Sequence, residues 1–168
     1  MTRAALIVLS TLLAACGTPD GEASAEAAYT IGPEGAGNLK GETPFTLPAI
    51  ERAFHGLDVL AVSVTGTPVF EVREPGSSAA LYVVTPDWTR GYAGAVGTAS
   101  PDVAGPNNLR AGMSRLSDVP IALKANCAEP SPAGAVTLVC DSPGFRLEFS
   151  GTGADPLLAR QTYLPSLP

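Results

Sequence analysis

Glycine and proline constrain this chain more than any other feature. They number 18 and 16, and most stand between apolar runs of five to eight residues. Runs that short rarely make helices, because an isolated helix needs more turns to be worth nucleating. Bounded by turn-forming residues, they read instead as β-strands. Residues 59–64 are a continuous β-branched-rich run. In residues 69–73, Phe70 and Val72 alternate with Glu71 and Arg73, with Gly66, Thr67 and Pro68 supplying the turn before them. Residues 80–85 follow the loop Glu74 to Ser78, and residues 92–98 are a weaker strand because Gly94 and Gly97 interrupt it.

Residues 101–109 read as a loop and residues 114–118 as one helical turn. Three further strands are predicted at 119–126, 135–140 and 145–150, the last two joined by the turn Asp141-Ser142-Pro143-Gly144. Residues 151–168 are predicted to close the chain irregularly, with Leu157, Leu158, Tyr163 and Leu164 available to pack. Residues 29–41 carry four glycines and suit an extended start with turns. One helix is well signalled. Thr46 can cap it, Pro48 is tolerated in its first turn, Leu47, Ile50, Phe54 and Leu57 follow helical spacing, and Gly56 can end it. The fold class expected is mainly β: an antiparallel sandwich-like or strongly curved sheet of about seven strands, with one short helix near the N-terminus of the domain.

The first sixteen residues specify a location. Arg3 gives a positive start, residues 4–13 are apolar, and Leu13-Ala14-Ala15-Cys16 places small residues before a cysteine. A secretory signal has a basic start, an apolar stretch of about 7–15 residues and a small-residue cleavage site. The stretch is too short to span a bilayer, which takes about 20 residues. A cysteine directly after the small residues is the requirement of bacterial lipoprotein processing. Residues 1–15 are thus expected to be a signal peptide. Cys16 is expected to become the lipidated first residue, bearing a diacylglyceryl thioether and an N-acyl chain such as palmitate. Two or more acyl chains give a stable anchor. Gly17, where an Asp would favour inner-membrane retention, points to the outer membrane, with the domain facing the periplasm. Residues 17–28 have no large apolar side chain and read as a tether, leaving residues 29–168 as a single β-rich periplasmic domain.

Charge narrows the partners. Nine basic against sixteen acidic residues follow Cys16, a balance of −7; the tether holds three of the acids, so the domain stands at −4. The basic residues are scattered, which excludes a phosphate-binding patch and hence a nucleic-acid partner. Cys127 and Cys140 remain after lipidation of Cys16, an even pair in an oxidising compartment, at the ends of two predicted strands. A disulfide is expected there. The CxxC spacing of a redox pair is absent, and no histidine is near in sequence.

Chemistry is harder to find. The single histidine, His55, falls at the helix end, where the dipole favours a capping cation. No GxSxG or SxxK motif supplies a nucleophile, no calcium loop or P-loop is present, and the acids stand at loop and strand-edge positions. A non-enzymatic protein without cofactor or metal is expected. Trp88 and Tyr92 flank Arg90 in a Gly-rich stretch, a composition typical of interface anchors. Packing of Trp88 on the core is the favoured alternative. An envelope protein or glycan is the expected partner besides the membrane itself. A second reading is an inhibitor of a cell-wall hydrolase, in which the Glu74 to Ser78 loop enters a basic enzyme's cleft.

Gly35-Ala36-Gly37-Asn38-Leu39, then Glu42-Thr43-Pro44-Phe45-Thr46-Leu47, Ile50 and Leu57-Asp58-Val59, resemble the opening of the YfeY-like outer-membrane lipoproteins. Gly112-Met113-Ser114-Arg115-Leu116-Ser117-Asp118 resembles the Gly-led segment before a late strand of that family. The resemblance covers residues 29–150. Where family members often carry Pro-Gly after the helix, this chain has His55-Gly56. It implies a β-sandwich-like domain of unknown function in a lipoprotein under envelope-stress control. It implies no catalytic residue.

Overall fold

In a computed structural model, residues 29–131 and 134–165 are described. Cys16, the signal and the tether lie outside these residues. The chain opens with β1 (Tyr29–Gly32) and β2 (Gly35–Ala36), then α1 (Leu47–Ala53). A four-strand meander follows: β3 (Asp58–Val64), β4 (Thr67–Arg73), β5 (Ala80–Pro86) and β6 (Ala93–Thr98). After the two-residue β7 (Val103–Ala104) come three 3-10 turns at Pro106–Asn108, Leu116–Asp118 and Ile121–Lys124. The chain ends with β8 (Cys127–Ala128), β9 (Val136–Ser142), β10 (Phe145–Ser150) and β11 (Leu157–Tyr163).

Eight strands form one antiparallel sheet in the order β3-β4-β5-β6-β11-β10-β9-β8. A small sheet, β2-β1-β7, pairs β1 antiparallel to β2 and parallel to β7. The fold is mainly β and sandwich-like, with an open main sheet, as the turn-punctuated sequence requires.

Period-two alternation puts Phe70, Val72, Tyr82, Val84, Val96, Phe145, Leu147 and Phe149 on one face of the main sheet, all buried. Ile31, Leu39, Ile50 and Phe54 join them from the small sheet and the helix in one hydrophobic cluster. Phe54 packs tilted against Tyr82 with ring centroids 5.0 Å apart, and Phe45 against Phe70 at 4.7 Å. Thr46 stands at the N-cap with extended backbone, yet its side chain makes no capping bond. Gly56 takes φ 87° just past the helix, where a side chain would be strained.

Two sequence expectations change places. Residues 119–126 are not a strand. Pro120 has no N–H to give a ladder, the chain winds into the Ile121–Lys124 turn, and Ile121 is 88% exposed. Residues 151–168 are not irregular, because β11 runs through the middle of the main sheet, between β6 and β10. A bulge hides it: Glu148 faces Arg160 while Phe149 faces Leu158, so Ala159 is the extra residue and the alternation breaks. Leu158 and Gln161, three residues apart, are both fully buried. The Gln161 amide nitrogen donates to the Leu109 carbonyl at 3.0 Å. A Cβ at Gly105 would lie 1.7 Å from Gln161 Oε1, so only glycine fits beside it. The turn before β4 is also one residue earlier than expected, at Thr65-Gly66.

Cys127 and Cys140 are disulfide-bonded cross-strand partners of β8 and β9, with Cα atoms 3.9 Å apart. The bond fastens a two-residue strand to the sheet edge. Replacing both cysteines by serine should lower the unfolding free energy by about 3 kcal/mol, the chain-entropy value for so short a loop. A urea titration followed by far-UV circular dichroism measures this. An unchanged midpoint would show that β8 is held without it.

Candidate functional site

The connection from β5 to β6 is built to hold one aromatic side chain in solvent. Asp87 is buried and organises the loop. Its carboxylate accepts from the Thr89 hydroxyl at 2.6 Å and from the Tyr92 N–H at 3.1 Å. Its own N–H donates to the Tyr92 carbonyl at 2.8 Å, and the Arg90 N–H donates to its carbonyl at 3.1 Å. Thr89 Oγ1 in turn accepts from the Gly91 N–H at 3.1 Å. Residues 43–45 brace the loop from outside, where the Phe45 N–H donates to the Gly91 carbonyl and the Ala93 N–H to the Thr43 carbonyl, each at 3.0 Å. Arg90 adopts φ 62°, a left-handed conformation that costs a non-glycine residue energy and persists only where its surroundings impose it. Gly94 permits the tight return, since a Cβ there would lie 2.5 Å from the Pro86 carbonyl oxygen.

With Asp87 filling the inward position, Trp88 points out and is 88% exposed. The core-packing reading of Trp88 is therefore overturned, since the inward place at this turn belongs to Asp87. Tyr92 is 41% exposed and Arg90 is exposed, without an ion pair among the described residues. The structure thus brings Trp88, Arg90 and Tyr92 together on one braced loop. The hydrogen bond from Thr89, followed by the backbone donors, holds the Asp87 carboxyl below its ordinary value, against the opposing effect of burial.

The second face of the main sheet carries a cavity of about 500 Å³ that the sequence did not signal. Its floor is apolar and low, with Leu81, Val83, Ala95 and Gly97, and Arg160 and Glu148 border it. Arg160 and Glu148 form an ion pair at 3.9 Å. The other sequence candidates are dispersed. His55 is exposed beyond the helix end and lines a separate cavity of about 310 Å³, with no hydrogen-bonded nucleophile or acid among the described residues. The Glu74 to Ser78 loop is a tight turn closed on itself. The Ser77 N–H donates to the Glu74 carbonyl, Ser77 Oγ accepts from the Ala79 N–H, and the Glu74 carboxylate accepts from the Tyr29 hydroxyl at 2.9 Å. Glu74 and Ser78 at the two ends of this turn remain exposed. Among the described residues no group of three or more His, Cys, Asp or Glu converges as a metal site would require.

No family model matches the chain, and no curated protein matches it. Among solved structures, it is similar to the crystal structure of the uncharacterized protein yfeY from Escherichia coli. The TM-score is 0.56 at 17% identity, covering 80% of this chain and 99% of that one. The YfeY-like resemblance read from residues 29–150 therefore extends to the fold.

Two outcomes test the loop. Asp87→Ala removes the acceptor that fixes Trp88 and should raise acrylamide quenching and lower the anisotropy of tryptophan fluorescence, which reports Trp88 alone because it is the chain's one tryptophan. Because the folded carboxyl is depressed, the clamp is fully present above the ordinary carboxylate range and is lost as pH falls through its lowered value. Trp88 fluorescence should accordingly be flat across neutral and mildly acidic pH and change only as pH falls below the ordinary carboxylate range. A transition near neutrality would assign the loop's order to another group.

Proposed function

We propose that this chain is a non-enzymatic lipoprotein of the bacterial envelope, held in the outer membrane by acyl chains on Cys16. Its periplasmic domain binds another envelope component through Trp88, Arg90 and Tyr92. The observation that carries the reading is the exposure of Trp88 on a loop whose backbone is already fixed. An exposed tryptophan beside a left-handed Arg90, both held by a braced loop, suits a side chain that meets a partner. Tryptophan, tyrosine and arginine dominate the energetics of protein interfaces. A preorganised anchor avoids the ordering entropy that a flexible loop would lose on binding.

The test is affinity capture from detergent-solubilised envelopes with the lipidated protein, Trp88→Ala and Cys16→Ala. Trp88→Ala should weaken recovery of the specific partner about tenfold or more while the thermal midpoint stays unchanged, since the indole touches no core. Radiolabelled palmitate should tag the wild-type chain and leave Cys16→Ala unlabelled. Undiminished capture by Trp88→Ala would reject the loop as the binding surface. A wild-type chain whose Cys16 carries no acyl chain by mass spectrometry would reject the lipid anchor.

A further inference from the structure

One side of the main sheet ends on an undefended edge. β3 is seven residues long, pairs without a bulge along its whole length to β4, and has no strand on its other side among the described residues. Natural sheets protect such edges with lysine, proline, a bulge or a covering segment. β3 (DVLAVSV) contains no lysine, arginine or proline, and its single charge, Asp58, stands at its first position. Asp58 leans away, accepting from the Gly76 N–H at 3.4 Å. The opposite edge, β8, is two residues long and fastened by the disulfide. β3 is thus the longer of the two edge strands.

The register fixes which groups are free. Val64 and Thr67 close a two-residue turn and are therefore a hydrogen-bonded pair, so Val62, Leu60 and Asp58 also bond inward to β4. Val59, Ala61 and Ser63 then direct both their N–H and C=O groups outward. On the cavity face of the sheet, Leu60 and Val64 are 42% and 49% exposed, and Val64 borders the cavity.

We infer that β3 is a self-association edge whose occupant is the β3 strand of a second copy, paired antiparallel about Ala61. In that register Val59 faces Ser63 of the other copy, Ala61 faces its equivalent, and every outward backbone group of these three residues is satisfied. Leu60 meets Val62 of the other copy, which covers the exposed Leu60. Charge decides the direction. Antiparallel pairing puts each Asp58 opposite a Val64, at the two ends of the ribbon, whereas parallel pairing would set the two carboxylates side by side. The two sheets become continuous, and their cavity faces lie on the same side. This inference is independent of Trp88, which lies on the β5–β6 connection.

The experiment uses the full chain in the envelope of producing cells. Ala61→Cys places two thiols across a hydrogen-bonded antiparallel pair, where Cα atoms lie about 5.5 Å apart, within disulfide reach. Non-reducing electrophoresis should show a dimer for Ala61→Cys and none for Val59→Cys, whose equivalents are four positions out of register. In detergent, the wild-type chain should sediment as a dimer. Ala61→Pro removes an outward N–H without touching the β4 ladder, and should sediment as a monomer with an unchanged circular dichroism spectrum. Ala61→Lys, which is compatible with any edge strand, should do the same if the proline variant fails to fold. A free, maleimide-reactive Ala61→Cys thiol together with a monomeric wild-type chain would overturn the proposal. So would equal cross-linking of Ala61→Cys and Val59→Cys, the mark of random collision.

Discussion

The pairing of β11 with both β6 and β10 holds this architecture together. The meander β3 to β6 and the hairpin β9–β10 are each local, made by neighbours in sequence through short turns. Neither buries its apolar face alone, and isolated strand groups of that size are marginal in water. β11 returns from the end of the chain to lie between them and converts two local units into one sheet. It brings Leu158 and Tyr163 into the common core and a buried Gln161 whose amide ties the strand to Leu109. A buried amide is costly unless bonded. The position is therefore specified by a polar contact as well as by apolar fit, and Gly105 is obliged to leave room for it.

That sheet has unequal faces. One is covered by the helix and the small sheet and supplies nearly all of the large buried side chains. The other is left with small and mixed residues around the cavity, and with Leu60 and Val64 partly in water. The exposed tryptophan, the open edge strand and the uncovered face all lie away from the core.

Much of this was readable before any coordinate. The alternation in residues 69–73, the turn at 141–144, the helix at Leu47–Ala53 and the Cys127–Cys140 pair are all local signals, and local chemistry settles them. β11 was missed because a bulge at Ala159 breaks the period of two and an inward glutamine looks like a surface residue. Residues 119–126 misled because an apolar run reads as a strand even when Pro120 denies it a ladder. Trp88 misled for a different reason. The default for a tryptophan is burial, and only the hydrogen bonds of Asp87 turn it outward. Asp87 itself gave a readable hint, an acid directly before Trp88 and followed by Thr89 and Gly91, the residue types that close side-chain-capped turns.

The sequence by itself determined the mainly β character, the helix and the pairing of cysteines. These follow from residue periodicity, turn chemistry and cysteine number, which act over a few positions. The proposed lipid anchor and outer-membrane address rest on the same kind of local pattern at residues 13–17. The tertiary structure alone decided the order of strands, the place of β11, the direction of Trp88 and which strand edge is left open. Those depend on backbone groups meeting across long sequence separations, where each side chain's partner is fixed by the register of a distant strand and cannot be read from its own neighbours.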